Sequence, residues 1–260
     1  MVRSLPLTAG STIMILSPHL DDSVLSCGGL MTDAHRRGVR VIVITVFNGR
    51  PIPPVSAAAA RFHARCGHTD NRAMDEREAE DDRALAVVGA QSKRLHLPEA
   101  LYRRYPDGTA MYEADSAIFT GISPFDHTLD AVTKRIVERT DSVRPDLVLA
   151  PVGIGSHIDH LLVSAAAQQL DCIVLHYEDM PYVIYDHCRD WQRDFGVRTA
   201  YLHHCSDQAW SAKISAISCY ESQLEVLWYS PGTWRKDLDD YAVAIGTGQR
   251  AERLWSFNEQ

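Results

Sequence analysis

No stretch of this chain approaches the roughly 20 consecutive apolar residues that cross a bilayer, so a helical membrane span is excluded. Basic runs are also missing. With 34 acidic against 26 basic residues and a net charge of −8, the chain lacks the footprint that tracks nucleic-acid phosphates. Residues 1–10 carry a single Arg and no apolar stretch long enough for a signal peptide, which predicts a cytoplasmic protein. The six Cys, at 27, 66, 172, 188, 205 and 219, form no CxxC pair, so they read as reduced and mostly buried thiols rather than a disulfide framework. No GxGxxG follows the first apolar run, where Ser17-Pro18-His19-Leu20-Asp21-Asp22 stands instead, and this argues against a dinucleotide or methyl-donor binder. No internal repeat is visible.

What is present is a chain of 260 residues, 45% of them apolar, enough for one large core. The expected organisation is one domain over 1–260, with a core from about 10 to 228 and a tail, 229–260, whose flanking and internal Trp228, Trp234 and Trp255 pack it back on the body. Strand-like runs lie near 12–17, 39–47, 93–97, 146–151, 172–177 and 198–204, and helix-like runs near 22–37, 75–89, 126–142, 159–170 and 207–228. Gly38 and Gly89 stand where helix C-caps belong, each just before the next strand. The run from Val39 to Phe47 is almost continuously apolar, as in a strand covered on both faces. This alternation predicts an α/β fold: one Rossmann-like, doubly wound, mostly parallel sheet with helices on both faces. Two irregular stretches, 48–74 and 98–125, are long for a compact domain and are expected to form pocket walls.

Two short polar segments carry the chemistry. Ser-Pro-His-Leu-Asp-Asp at 17–22 follows the apolar run Ile13–Leu16, and His-Ile-Asp-His at 157–160 follows Leu147–Pro151. Both sit between a strand and a helix, and in a parallel sheet such loops share one edge, so the two segments meet there. His19, Asp22 and His160 then offer a divalent metal three N/O ligands and leave a position open, the arrangement of catalytic rather than structural zinc. Asp21 and His157 remain beside the metal as acid/base candidates.

At these residues the chain resembles the PIG-L/LmbE-like N-deacetylases. His-Leu-Asp-Asp followed by Cys27-Gly28-Gly29 is similar to that family's opening His-Pro-Asp-Asp-Glu…Gly-Gly, with Leu20 in place of Pro and Ser23 in place of Glu. His157-Ile158-Asp159-His160 resembles its second His-x-x-His motif. Arg77 to Glu80 with Val88-Gly89 resembles an Arg-x-x-Glu helix, and Tyr177 to Tyr182 a Tyr-Glu-Asp-Leu-Pro-Tyr segment of sugar-directed members. Lys213 through Ser222-Gln223 matches a late Lys…Ser-Gln helix.

The resemblance implies a zinc-dependent amide hydrolase (another divalent ion being an alternative) with ligands His19, Asp22 and His160. Asp21 is then the general base, and His157 stabilises the oxyanion or protonates the leaving amine. Asn48 and Gly49 at the end of the second strand, together with Arg77 and Tyr182, are candidates for gripping sugar hydroxyls. The expected substrate is a small, hydrophilic, N-acetylated amino sugar or its glycoside, met by a pocket rich in hydroxyls, carboxylates and aromatic faces. No sustained apolar stripe is expected near the metal loops, so a long acyl chain is expected to fit poorly. No nucleic-acid or membrane partner is expected, and a homo-oligomer is compatible with the chain. The alternatives are a thiol-conjugate amidase of the same family and a non-catalytic Rossmann-type small-molecule binder.

Overall fold

In the computed structural model, residues 5, 7–69, 72–197, 199–228, 230 and 232–257 are described. The chain alternates strands and helices in the order β1 (Thr12–Ser17), α1 (Asp22–Arg36), β2 (Arg40–Phe47), α2 (Ala57–Arg65), α3 (Ala73–Val88), β3 (Gln91–Leu97), α4 (Thr128–Val143), β4 (Leu147–Pro151), α5 (Ile158–Ala167) and β5 (Val174–Tyr177). There follow α6 (Trp191–Phe195), β6 (Thr199–His204), α7 (Asp207–Ile217), α8 (Glu221–Leu227), α9 (Trp234–Ile245) and β7 (Ala251–Ser256). The seven strands form one sheet in the order β3-β2-β1-β4-β5-β7-β6. Within this sheet every described pairing is parallel except those of β7, which runs antiparallel to both β5 and β6.

Strand alternation divides the core in two. Ile13 and Ile15 of β1 and Val41 and Val43 of β2 face a cluster built with Leu25, Leu30, Leu85 and Ile217 of α1, α3 and α7. Met14, Leu16, Ile42 and Ile44 face the opposite cluster, built with Val132, Ile136, Leu162 and Val163 of α4 and α5. Both faces are covered, which is why these strands are nearly continuous apolar runs. Among the described residues no helix is long and apolar enough to cross a membrane.

The last third departs from the expected pattern. The single helix expected over 207–228 is two, α7 and α8, broken at Ser218–Tyr220, where the Tyr220 hydroxyl donates to the Leu20 carbonyl at 3.1 Å and to Asp81 at 3.0 Å. Trp228 and Trp234 do pack together in the core, their rings 6.5 Å apart. Residues 251–256, though, are hydrogen-bonded between β5 and β6, so this segment is part of the sheet rather than a cover on it. Glu252 of β7 reaches across to α1 and accepts from the N–H groups of Gly29 at 2.9 Å and Leu30 at 2.7 Å, while Lys213 of α7 donates to it at 2.7 Å. Gly29 is required by this close approach, because a Cβ there would lie 2.5 Å from the Cys205 sulfur. Gly89 is required twice over: its φ is +73°, and a Cβ would meet the His35 ring at 2.4 Å.

Strand order reverses between β1 and β4. From β1 the chain winds outward through β2 to β3, then returns to the other side of β1 as β4. In open α/β sheets the crevice beyond the carboxyl ends of the strands at such a point is where ligands bind.

Candidate metal centre

The loop after β1 is short and tied to itself. Ser17 Oγ donates to the His19 carbonyl at 2.6 Å and accepts from Ser23 N–H at 3.0 Å, while Asp22 Oδ2 accepts from His19 N–H at 2.7 Å. This holds the His19 and Asp22 side chains together, with Nδ1 and Oδ2 3.2 Å apart. From the loop after β4, His157 caps α5 and His160 lies in its first turn, with His160 Nε2 3.3 Å from Asp22 Oδ2. One atom from each of His19, Asp22 and His160 therefore lies within 4.8 Å of the others, and all three residues are buried.

The far side of each ring decides which atoms face inward. His19 Nε2–H donates to Asp159 Oδ2 at 3.0 Å, which leaves Nδ1 as the free lone pair. His160 Nδ1–H donates to Asp179 Oδ1 at 2.7 Å, which leaves Nε2. Metal-ligating His residues are commonly held this way by a carboxylate on the outer nitrogen. His160 Nε2 is buried and has no hydrogen-bond partner among the described residues. Two imidazole lone pairs and a carboxylate oxygen, one of them orphaned, fit a divalent cation with an open coordination position.

The electrostatics point the same way. Burial opposes charge on the rings, yet Asp159 and Asp22 outweigh it and hold the His19 pKa well above the usual value. Asp22 and Asp179 likewise carry His160 up to about 9. The site thus demands positive charge, which protons supply in the protein alone and a metal ion would supply in their place. Asp21 is raised to about 6, by burial first and then by the neighbouring Asp22 charge. Its side chain makes no cap on α1, so its carboxyl is left to face the cavity. Burial and then the His19 charge hold the His157 pKa well below the usual value, so its ring is neutral. Because Asp159 N–H donates to His157 Nδ1 at 3.2 Å, the His157 proton sits on Nε2. A second grouping, His19 with His157 and Asp159, is equally close. Asp159 is already claimed there: Arg103 donates to it, and so does Ala100 N–H at 3.0 Å.

A cavity of about 430 Å³ opens over these residues. Arg77 and Tyr182 line it. Arg77 is buried rather than solvated, with Nη1 donating to Glu99 at 2.6 Å, and the Tyr182 ring stands edge-on to His160 at 5.6 Å. Asn48 and Gly49 do not line it. Asn48 is fully buried, donating to Glu78 at 2.8 Å and accepting from His96 N–H at 3.0 Å, and Gly49 N–H donates to the Leu97 carbonyl at 2.9 Å. Both residues fasten the end of β2 to β3, because the polar groups leaving a buried strand end must find partners.

The cavity walls come in part from the expected stretches. Phe62 and Arg65 of α2, residues 99–101, and Asp115, Ser116, Ile118 and Phe119 contribute, whereas Ile52 of the first stretch is 79% exposed and lies elsewhere. Helix α8 adds Gln223, Val226 and Leu227, which were not expected. The lining is also more apolar than expected. Phe62, Leu101, Ile118, Phe119, Val226 and Leu227 make the hydrocarbon wall whose absence was anticipated, since they come from four separate segments that only the fold brings together. Sequence reading also passed over Asp159, Asp179 and Arg103. The first two were visible inside the His157–His160 and Tyr177–Tyr182 segments, while nothing local marks Arg103.

A protein-family model described as PIG-L, GlcNAc-PI de-N-acetylase, matches residues 14–170, which include all five clustered site residues. The chain belongs to the PIG-L family. Among PIG-L relatives, a 2'-N-acetylparomamine deacetylase of Streptomyces fradiae is 31% identical over 182 residues, 68% of this chain and 59% of that protein. A protein of the same description from Niallia circulans is 28% identical over 194 residues, 65% of this chain and 66% of that one. The chain therefore spans less than two thirds of the length of either relative. The zinc-inhibited form of a teicoplanin deacetylase superposes with a TM-score of 0.82 at 28% identity, covering 94% of this chain and 97% of that one. Ser23, where the family motif has Glu, is fully buried, and its hydroxyl has no partner among the described residues.

Proposed function

We propose that the protein is a metal-dependent N-deacetylase that hydrolyses the acetamide of an N-acetylated amino sugar within a glycosylated small molecule. The observation that carries this reading is the inward convergence of His19 Nδ1, Asp22 Oδ2 and His160 Nε2, with each ring's outer nitrogen given to a carboxylate. The relatives named as deacetylases of 2'-N-acetylparomamine and of teicoplanin support the amino-sugar substrate class.

His19, Asp22 and His160 would hold a divalent ion, and zinc fits an N/O set of this kind, although affinity order alone does not select the native metal. When bound, such an ion supplies Lewis-acid polarisation of an amide carbonyl and acidifies water. The protein's own groups do the rest. Asp21, lining the cavity beside Asp22, takes the proton of the attacking water as general base and returns it to the nitrogen as the C–N bond breaks, so that acetate and a free amine leave. His157 presents a neutral Nε2–H, a hydrogen-bond donor suited to the negative oxygen that develops on the amide carbon. His157 is itself buried, so a hydrogen bond from it counts for more than one in bulk water. Asp159 and Asp179 keep the two ligand rings oriented. Arg77, locked by Glu99, places a cation near Asp21 that favours its ionised, proton-accepting form.

The apolar wall suits the methyl of an acetyl group and the C–H face of a pyranose. The expected exclusion of longer acyl chains does not follow from it. Metal-loaded protein incubated with N-acetylglucosamine glycosides should release acetate and an equal amount of free amine. Release of neither product from any N-acetylated amino-sugar glycoside, by protein shown to bind the ion, would falsify the reading.

A further inference from the structure

Asp21 must stand within hydrogen-bond reach of the attacking water, yet its carboxyl makes no cap on α1. Where it stands over the cavity is therefore set by the backbone that carries it. That backbone is tied carbonyl by carbonyl. The Pro18 carbonyl accepts from Phe47 N–H at 2.9 Å, that of His19 from Ser17 Oγ at 2.6 Å and that of Asp21 from Leu25 N–H at 3.0 Å. These ties stay within β1, α1, β2 and the loop after β1. The Leu20 carbonyl, on the peptide that also bears the Asp21 N–H, differs. Its donor is the Tyr220 hydroxyl at 3.1 Å, 200 residues along the chain.

Tyr220 is buried at the break between α7 and α8, and its hydroxyl shares its proton with Asp81 Oδ1 at 3.0 Å. Asp81 is fully buried on α3 and is itself fixed by Arg94 of β3, which donates to its other oxygen at 3.0 Å. Burial first, and then the Asp81 and Asp21 charges, hold the Tyr220 pKa well above its usual value, so the hydroxyl keeps a proton to donate. Helix α8 does not depend on that hydroxyl. Ser222 fastens it to α3 on its own, donating to Glu80 from N–H at 2.9 Å and from Oγ at 2.7 Å. For packing alone a phenylalanine ring would serve, because a buried hydroxyl is costly unless it is hydrogen-bonded.

We infer that Tyr220, braced by Asp81, is a positioning residue for Asp21, its hydroxyl fixing the Leu20–Asp21 peptide so that the Asp21 carboxylate is aimed at the attacking water. The inference rests on the amide-hydrolase reading above, in which Asp21 is the base. Tyr220 touches neither substrate nor reacting atoms and acts only through the peptide it anchors. A carboxylate displaced by about 1 Å is enough to slow such a proton transfer severely.

Tyr220→Phe keeps the ring and removes the hydroxyl. In the metal-loaded protein it should lower kcat for acetate release by about tenfold or more, with KM and metal content as in the unmodified protein. The peptide can also be watched without turnover. In protein isotope-labelled at Leu carbonyl carbons and Asp nitrogens, only Leu–Asp peptides give a one-bond correlation by NMR. The chain has four, Leu20–Asp21, Leu129–Asp130, Leu170–Asp171 and Leu238–Asp239, and Asp21→Asn identifies the first by removing it. The Leu20 carbonyl signal should move upfield in Tyr220→Phe, which takes its donor away. It should move downfield in Asp81→Asn, because Arg94 holds the amide oxygen and turns the amide N–H toward Tyr220, leaving the phenolic proton wholly to Leu20. Full kcat in Tyr220→Phe, or a Leu20 signal that neither variant moves, would overturn the inference. A fall in kcat that comes with loss of metal or of cooperative unfolding would overturn it too, by making Tyr220 a support of the fold alone. A signal that moves as expected in protein that releases no acetate would support the anchored peptide and overturn only the reaction.

Discussion

At the residue scale, neighbouring carboxylates in one loop are given different work by what each touches. Asp22 accepts the His19 N–H and faces the His19 and His160 rings, whereas Asp21 makes no cap and looks into the cavity. Asp21→Asn should therefore retain the metal while kcat for deacetylation falls by roughly 10²–10⁴, the span expected for a lost general base. Asp22→Asn should weaken metal binding itself. Metal content and turnover of the two variants check this, and a metal-free Asp21→Asn beside a metal-loaded Asp22→Asn would reverse the assignment. The clustering of His19, Asp21, Asp22, His157 and His160 was legible at this scale because they stand in two contiguous segments that follow apolar runs. Asp159 was not singled out although it lies between His157 and His160. Its role depends on Arg103, 56 residues away, and no local pattern signals that partner.

At the scale of elements, the first half of the sheet was legible nearly to the residue, since strands buried on both faces leave long apolar runs. β7 was not. Its sequence, Ala-Glu-Arg-Leu-Trp-Ser, carries two charges that read as solvent-facing. In the fold Glu252 is paired with Lys213, 39 residues away, and Arg253 donates to Glu178 at 2.6 Å, 75 residues away. Neutralisation by distant partners is what lets a charged segment lie inside a sheet. The Lys213–Glu252 pair is buried and joins α7, β7 and the middle of α1. Removing one partner of a buried pair leaves an uncompensated charge, so Lys213→Met should destabilise the protein by about 3–5 kcal/mol in denaturant unfolding. A loss below about 1 kcal/mol would mean that Glu252 is satisfied by the Gly29 and Leu30 amides alone.

At the scale of the whole molecule, the fold places the His19, Asp22 and His160 cluster where the strand order turns, and buries around it further ionisable groups. His176 on β5 is one of these, buried and donating from Nδ1 to the Pro151 carbonyl at 3.0 Å. Burial lowers its pKa to about 4, below the value near 6.5 of an unfolded chain. Between those values the unfolded chain binds the proton and the folded one does not, so stability falls as pH drops from about 6.5 to about 4. The full loss from this one group is about 3 kcal/mol. His176→Gln should flatten that part of the pH–stability curve measured by thermal or denaturant unfolding. An unchanged slope would show that His176 is protonated in the folded protein.

The central claim is that amide hydrolysis here depends on one divalent ion held by His19, Asp22 and His160. The direct measurement is acetate release from an N-acetylglucosamine glycoside by chelator-stripped protein as a divalent ion is added back. Activity should be absent without metal and rise to its plateau with the first equivalent per chain. Hydrolysis at full rate by the metal-free protein, or a plateau reached unchanged in His160→Ala, would contradict the account.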